Sequence, residues 1–253
     1  MSSSKKLNNF DSILHRLEKI FPKQDCIETF HTLQTPLRTY PLIKIVVGRG
    51  NSRRALISAG IHGDEPGGVE TILKFLENDF YSTFTNNWEI TFLPCINPYG
   101  YEFGTRENHQ EKDLNRLFKV DAPPLEVLFA QSIFDSNFDL TLELHEDDES
   151  SGYYLYQKGK NAKHQGLGIE ILKSVEKIMP INIESEIDGS PASHGVIGKD
   201  SDISTMDWWP MALYGFSKGV GMSLTLEAAS KYELETRVAS HLMAIKTALK
   251  KLK

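Results

Sequence analysis

Residues 55–77 read ALISAGIHGDEPGGVETILKFLE, and this stretch decides the fold class. Its first part, Ala55–Ala59, is short and apolar, which predicts a buried β-strand. Its last part, Glu65–Glu77, predicts an α-helix. The glycines between and around these parts let the backbone turn sharply and approach a bound group closely. A strand that passes directly into a helix is the building unit of α/β folds.

Outward from this stretch, strand-like and helix-like segments alternate along the chain. The predicted strands are Leu42–Val47, Ala55–Ala59, Trp88–Ile96, Phe138–Leu144, Tyr153–Tyr156, Ile181–Ile187 and Met222–Leu226. The predicted helices are 10–21, Glu65–Glu77, Pro123–Ile133, 161–178 and Tyr232–Leu252. This alternation predicts a three-layer α/β/α fold, with helices on both faces of a central mixed β-sheet.

Two long segments fit no regular element. Residues 97–120 carry arginines and asparagines between glycine turns and are interpreted as an ordered binding loop, because long loops are usually functional or disordered. Residues 188–207 are rich in small residues and are interpreted as a mobile rim or lid. Neither segment cuts the chain in two, so a single catalytic domain over residues 1–253 is expected.

Composition narrows the function classes. The formal charge of −6 gives no reason to expect nucleic acid or a membrane surface as a partner. Two cysteines, Cys26 and Cys95, form no CxxC pair, which argues against a thiolate metal site and a disulfide framework. No secretory signal or long apolar run is found, so a cytoplasmic location is the expectation. The oligomeric state is left open.

A metal site is indicated first by His62 and Glu65. A His–x–x–Glu pair at a strand-to-helix corner can aim both side chains at one point, and catalytic zinc takes three protein ligands plus an open position. The spacing alone is weak, since eight histidines make it easily by chance. The alternative is a surface histidine near a solvated glutamate. His145 follows the predicted strand Phe138–Leu144, where open α/β sheets place their sites, although a hydrogen-bonded structural role is also open.

The same placement recurs on other predicted strands. His62, Asn97, His145 and Glu227 follow four of them, which indicates one site at one edge of the sheet. Glu227 is interpreted as a general base that takes a proton from the attacking water and passes it to a leaving amine. The alternative is that Glu227 caps the terminal helix.

Four motifs then carry a family resemblance. HGDE, NPYGYEFGTREN…DLNR, LELH and TLE follow one another in this order, and their succession resembles the zinc carboxypeptidases over about residues 55–230. Among these it resembles the compact bacterial members that neighbour the aspartoacylase and succinylglutamate desuccinylase branch. The resemblance implies a metallocarboxypeptidase-like fold and one zinc ion (Zn²⁺) per chain, held by His62, Glu65 and His145.

The resemblance also implies roles for the arginine loop. Arg106 matches the arginine that polarises the scissile carbonyl, Asn115 and Arg116 match the pair that grips a free carboxylate, and Glu227 matches the general base. The planar guanidinium suits bidentate carboxylate binding. The alternative for both arginines is salt bridges with Glu107, Glu111 or Asp113 in the loop. Glu111-Lys112 replaces the family's usual Gly-Val.

The roles of several other side chains are left undecided by the sequence. The acidic run Glu146–Glu149 is a solvated face or favours a cationic part of the substrate. A substrate-facing tyrosine is Tyr153, Tyr154 or Tyr214, and His194 is a substrate contact or an exposed loop residue.

The expected activity is metal-assisted hydrolysis of an amide or peptide bond next to a free carboxylate, so the expected partner is a small peptide. The first alternative is an N-acyl amino acid deacylase. That branch usually carries an extra C-terminal β-domain, whereas only about 26 residues follow Glu227 here. The second alternative is a catalytically silent binding module on the same fold.

Overall fold

The computed structural model describes residues 7–23, 25–160, 166–198 and 206–252. The strands are β1 (Ile27–Gln34), β2 (Thr39–Val47), β3 (Arg53–Ala59), β4 (Trp88–Leu93), β5 (Leu140–Asp147), β6 (Tyr154–Gly159), β7 (Glu186–Ile187), β8 (Ser190–Pro191), β9 (Val196–Gly198) and β10 (Met222–Ala229). The helices are α1 (Phe10–Ile20), α2 (Pro66–Glu77), α3 (Pro98–Phe103), α4 (Leu125–Ile133), α5 (Leu167–Val175), α6 (Met211–Ser217) and α7 (Leu234–Lys251). Short 3₁₀ turns lie at Phe80–Thr83 and Leu114–Arg116.

Within the described residues, eight strands form one mixed sheet in the order β1-β2-β4-β3-β5-β10-β6-β9. The central strands β4, β3, β5 and β10 run parallel, while β2 and β6 flank them in the antiparallel sense. The four central strands therefore share one carboxyl edge, where open α/β sheets bind their ligands. The predicted mixed α/β sheet is confirmed.

Helices cover both faces of the sheet, as predicted. The helices α2 and α7 pack against β3, β5 and β10 on one face, with α5 beside α7. On the other face, α6 packs against β5 and β10, and α4 lies beside α6. Because side chains alternate along a strand, β5 presents Leu144 to α2 and His145 to the opposite face. The site is therefore built on the face that α6 covers.

Several element limits differ from the sequence predictions. The strand β5 extends through His145 to Asp147 and β10 extends to Ala229, so His145 and Glu227 lie within strands rather than after them. Of the predicted strand Ile181–Ile187, only the last two residues form a strand, β7, while Ile181 makes an isolated bridge with Tyr153. A polar residue that continues an apolar strand looks in the sequence like the first residue after it, which explains the early predicted ends.

The elements that were not predicted are β1, α3 and α6, together with the two short strands β8 and β9 inside the segment 188–207. Part of that segment, residues 199–205, lies outside the described residues, as do residues 161–165 of the helix predicted over 161–178. In the part of the chain that the structure describes, no helix is long and apolar enough to cross a membrane.

Candidate active site

The turn after β3 positions His62 and Glu65. Gly60 adopts a positive φ of 63°, which an L side chain rarely takes. Gly63 packs directly on the backbone of Gly100, where an added Cβ would come within 1.9 Å of a carbonyl carbon. The close turn lets Glu65 precede α2 and places its Oε1 2.6 Å from His62 Nδ1.

His145 joins this pair from β5. Its Nδ1 lies 2.9 Å from the other carboxylate oxygen of Glu65. All three side chains are buried, with exposures of 4%, 6% and 3% for His62, Glu65 and His145. One ligand-type atom from each lies within 4.8 Å of the others. The structure thus brings together the three residues predicted to bind a metal.

The three groups perturb one another's charge. Burial opposes protonation of His62, yet Glu65 and Asp113 raise its pKa to about 9. Burial likewise opposes ionisation of Glu65, but the two imidazoles lower its pKa to about 2. The pKa of His145 is also raised, because Glu65 outweighs burial. The buried carboxylate of Glu65 thus favours the protonated form of both imidazoles.

A conflict at His62 tests whether these residues suit a metal ion. Its Nδ1 faces Glu65 Oε1, which can only accept a hydrogen bond, and also Arg106 Nη1 at 3.2 Å, which can only donate one. A single ring nitrogen cannot satisfy both. A divalent cation between the rings and the carboxylate removes the conflict, because neutral imidazole nitrogens offer lone pairs. Two imidazoles and one carboxylate are ordinary zinc ligands and leave a position open, so the donor set fits.

Asp113 supports the site from the loop and was not predicted to do so. Its Oδ1 lies 3.4 Å from His62 Nε2, and its Oδ2 lies 3.1 Å from the Arg106 guanidinium. Burial raises the pKa of Asp113, but His62 and Arg106 hold it below its ordinary value. The salt bridge considered as the alternative role for Arg106 is therefore present, and it fixes the guanidinium beside the His62–Glu65–His145 cluster. The available sequence signal was the position of Asp113 in the DLNR motif.

Asn115 and Arg116 lie in the 3₁₀ turn that follows. The Oδ1 of Asn115 accepts a hydrogen bond of 2.9 Å from the amide of Met211, at the start of α6. The Arg116 guanidinium carbon lies 4.2 Å from the ring centre of Trp208, a cation–π contact. Among the described residues, no carboxylate forms a salt bridge with Arg116, so the salt-bridge alternative is not realised for it.

Glu227 lies beside His145, because β10 and β5 pair in parallel with these two residues in register. Burial is the main cause that raises the pKa of Glu227 to about 8; His145 opposes the shift, and nearby carboxylates including Glu65 add to it. The helix α7 begins only at Leu234, so the alternative role of Glu227 as its cap is wrong.

All seven predicted site residues line one cavity of about 530 Å³. Seven further carboxylates also line it: Glu146, Asp147, Asp148, Glu149, Glu184, Glu186 and Asp188. Glu146 itself is 8% exposed and pairs with Arg237 of α7 at 2.5 Å, so the acidic run is not simply a solvated face.

Comparison with known proteins adds the family. Residues 51–196 match the model of the succinylglutamate desuccinylase/aspartoacylase catalytic domain. The chain belongs to this family. No protein of curated function matches the chain.

Solved structures show the same fold. A candidate metallopeptidase from Shewanella denitrificans superposes with a TM-score of 0.81 at 20% identity, over 95% of this chain and 89% of its own. A similar candidate from Shewanella amazonensis gives 0.79 at 22% identity, over 96% and 92%. A metallo-carboxypeptidase from Burkholderia cenocepacia gives 0.67 at 15% identity, over 93% and 68%. The fold of this family member is thus metallocarboxypeptidase-like.

The remaining candidates separate clearly by position. Tyr154 lines the cavity and donates a hydrogen bond of 2.8 Å to Asp147, whereas Tyr153 points to the opposite face and contacts His241. Tyr214 packs in an aromatic group away from the cavity, and His194 is exposed outside its lining. Asn97, predicted as a site-edge residue, is buried and instead accepts a hydrogen bond from the Gly100 amide.

Proposed function

We propose that this protein is a zinc-dependent hydrolase that cleaves an amide bond next to a free carboxylate. The observation that carries the proposal is the convergence, in one cavity, of a buried His–Glu–His cluster, an adjacent glutamate and a pair of loop arginines. A purely structural α/β protein would have no need of so many charged groups around one cavity.

The metal ligands are His62, Glu65 and His145. A zinc ion bound there supplies Lewis-acid polarisation of the scissile carbonyl and lowers the pKa of a water molecule. Asp113 Oδ1 lies 3.4 Å from His62 Nε2, on the side from which an outer carboxylate orients a ligating imidazole.

Glu227 acts as the general base and then as the general acid. Its carboxylate accepts a proton as the water oxygen adds to the carbonyl carbon, and it returns that proton to the nitrogen as the C–N bond breaks. Its place beside His145, one of the proposed metal ligands, supports this role. The products are one carboxylic acid and one amine, so the proton balance closes within the active site.

Arg106 stabilises the charge that develops on the carbonyl oxygen. The salt bridge to Asp113 fixes its guanidinium, so little reorganisation is needed when the oxyanion forms.

Asn115 and Arg116 bind the substrate carboxylate. The Oδ1 of Asn115 is already occupied by the Met211 amide, which leaves its NH₂ group as the donor. Stacking on Trp208 limits the freedom of Arg116, which presents donors that suit a carboxylate.

A second candidate keeps the chemistry and changes the acyl group. The family match favours an N-acyl amino acid deacylase, because succinylglutamate desuccinylase and aspartoacylase name that domain. Both candidates release an amine that bears a carboxylate, and they differ in whether the acyl part is a peptide or a small acid.

A substrate panel tests the proposal. The zinc-loaded protein is expected to hydrolyse a dipeptide series or an N-acyl amino acid series, and to lose this activity when the free carboxylate is amidated. Whichever series is faster decides between the two candidates. Equal cleavage of free and amidated substrates, or no metal-dependent cleavage in either series, contradicts the proposal.

A further inference from the structure

Glu126 is a buried carboxylate that the proposed mechanism does not use. It lies in the first turn of α4, is fully buried and is not among the residues that line the cavity. Its Oε1 accepts a hydrogen bond of 3.1 Å from Nδ2 of Asn108, and His109 Nδ1 lies 3.7 Å from the same oxygen. Its Oε2 has no hydrogen-bond partner among the described residues. Because a carboxylate is costly to bury, we expect this one to serve the loop to which it is bonded.

Asn108 closes the turn that separates Arg106 from Asp113. Its Oδ1 accepts hydrogen bonds of 2.9 Å from the Gln110 amide and 3.2 Å from the Lys112 amide. Its own amide donates to the Lys112 carbonyl at 3.1 Å. The chain thereby folds back on itself, so that Arg106 and Asp113, on either side of the turn, form their salt bridge of 3.1 Å.

The carboxylate of Glu126 restricts which way the Asn108 amide can point. An asparagine side chain carries a donor NH₂ group and an acceptor oxygen of nearly the same shape. Because a carboxylate only accepts, the NH₂ group must face Glu126, which leaves the oxygen for the two loop amides. The reversed orientation would set oxygen against oxygen and the NH₂ group against two donors. The position of Glu126 near the amino end of α4 favours its negative charge.

The backbone of the turn does not favour its own conformation. Glu111, within the turn, has a positive φ of 57°, which residues other than glycine rarely adopt. The Glu111 amide donates a hydrogen bond of 2.9 Å to the Asn108 carbonyl. The hydrogen bonds of Asn108 therefore hold the turn against the local preference of the backbone.

We propose that Glu126 is a positioning residue that acts through Asn108 to hold the Arg106 guanidinium in place. The position held is that of the salt bridge with Asp113, which preorganises the guanidinium for the oxyanion of the proposed reaction. The catalytic consequence rests on the proposed function, whereas the position of the guanidinium does not.

The first test compares two substitutions of Glu126. Glu126→Met removes the acceptor and keeps the length of the side chain, whereas Glu126→Gln keeps an oxygen that can accept from Asn108. In Glu126→Met, kcat is expected to fall by about 10- to 100-fold, because a displacement of about 1 Å in a positioned group has an effect of this order. KM is expected to stay within about threefold of wild type, because Asn115 is held separately by the Met211 amide. In Glu126→Gln, kcat is expected to stay within about threefold of wild type.

Two kinetic outcomes would overturn the proposal. One is an unchanged kcat in Glu126→Met, and the other is an equal loss of kcat in Glu126→Met and Glu126→Gln. The first would show that the hydrogen bond to Asn108 is not needed for catalysis. The second would show that the acceptor oxygen is not what matters at this position.

Asn51→Ala is the control for loss of stability. Asn51 Nδ2 donates to the carbonyls of Gly48 and Thr85 at 2.8 and 2.7 Å, and Asn51 does not line the cavity. Its substitution is expected to lower the urea midpoint of unfolding while leaving kcat within about twofold of wild type. A loss of kcat in Asn51→Ala equal to that in Glu126→Met would assign the effect to general destabilisation and overturn the proposal.

Proton exchange at Arg106 separates this proposal from the proposed function. Arg106 Nε donates to Asp113 Oδ2 at 3.1 Å, so its N–H group should exchange slowly with water in the zinc-loaded wild-type protein. Its NMR signal is identified by its loss in Arg106→Lys. Exchange faster by about tenfold in Glu126→Met, but not in Glu126→Gln, supports the positioning role even if no amide substrate is hydrolysed, an outcome that defeats only the proposed reaction. Equal exchange in the wild type and both variants overturns the role even if hydrolysis is observed.

Discussion

Two buried histidines on opposite faces of the sheet show opposite behaviour. The pKa of His62, in the His62–Glu65–His145 cluster, is raised to about 9, whereas burial lowers the pKa of His241, on α7, to about 3. Both rings are almost inaccessible to solvent, with exposures of 4% and 0%. Burial alone therefore does not decide their charge, and the difference must come from their partners.

The partners of His241 are complete. Its Nε2 lies 3.2 Å from the His145 carbonyl, which can only accept, so this nitrogen carries the proton. Its Nδ1 then accepts from the Tyr153 hydroxyl at 2.9 Å. One arrangement of protons satisfies every atom of the neutral ring. This is how a polar group is built into a stable core.

The partners of His62 are not complete. Its Nδ1 faces both an acceptor on Glu65 and a donor on Arg106, and its Nε2 lies 3.4 Å from Asp113. No arrangement of protons satisfies all these contacts at once. The comparison teaches that the hydrogen bonds of the buried polar groups around His241 are complete, whereas those around His62 require a further partner. His145 contacts both groups of residues: its carbonyl accepts from His241, and its ring lies against Glu65 in the cavity.

The largest expected effect is the loss of activity on changing Glu227, in the cavity. Replacing Glu227 with glutamine removes the proton acceptor but keeps the shape of the side chain. We expect kcat to fall by about 100- to 10,000-fold, with the bound zinc retained because Glu227 is not among the clustered ligands. Turnover and metal content are measured on the same preparation. Full activity in Glu227→Gln would end its assignment as general base.

Arg106→Ala is expected to reduce kcat by about 100- to 1000-fold, because it removes the donor to the developing oxyanion. The adjacent and exposed Glu107 provides the control, since Glu107→Ala should leave kcat nearly unchanged. Steady-state kinetics of the two variants decide the matter. Equal losses in both would indicate a general disturbance of the loop rather than a role in catalysis.

The depressed pKa of His241 is expected to make the free energy of unfolding depend on pH. The ordinary pKa of histidine is 6.5, and that of His241 in the fold is about 3, so the unfolded chain gains a proton that the folded one does not. Its contribution to stability is complete above pH 6.5 and is lost as the pH falls towards 3, at about 1.4 kcal/mol per pH unit. Replacing His241 with glutamine should flatten this slope in urea unfolding with a chelator present. An unchanged slope would show that other groups cause the acid dependence.

Tyr153→Phe should have the smallest of these effects. It leaves His241 Nδ1 without a donor, which should lower the free energy of unfolding by about 1–3 kcal/mol. Catalysis should be unaffected at a temperature where the variant is folded, since Tyr153 lies on the opposite face from the cavity. Denaturant unfolding measures the expected loss of stability, and steady-state kinetics measure whether kcat is unchanged. A large loss of kcat without a loss of stability would place Tyr153 in the site.

The sequence predicted the central sheet well because β-branched and apolar runs are local signals. It missed β1 and α6, whose positions depend on packing against β2 and β10 rather than on a strong pattern of their own. It ended β5 before His145, since a polar residue inside a strand looks like the residue after it.

The same limit applies to the site. The motifs predicted the residues that the structure brings together in the cavity. The support from Asp113 could not be predicted, because it depends on a contact between segments distant in sequence. Glu146, part of an acidic run in the sequence, could be placed in a buried ion pair with Arg237 only once α7 was positioned.

Zinc titration of the chelator-treated protein tests the central claim most directly. The wild-type protein and His31→Ala, which changes an exposed histidine on β1, should each bind about one equivalent of zinc. His145→Ala should bind little, because it removes one of the three clustered ligands. Absence of tight binding by the wild type, or equal binding by His145→Ala, would contradict the account.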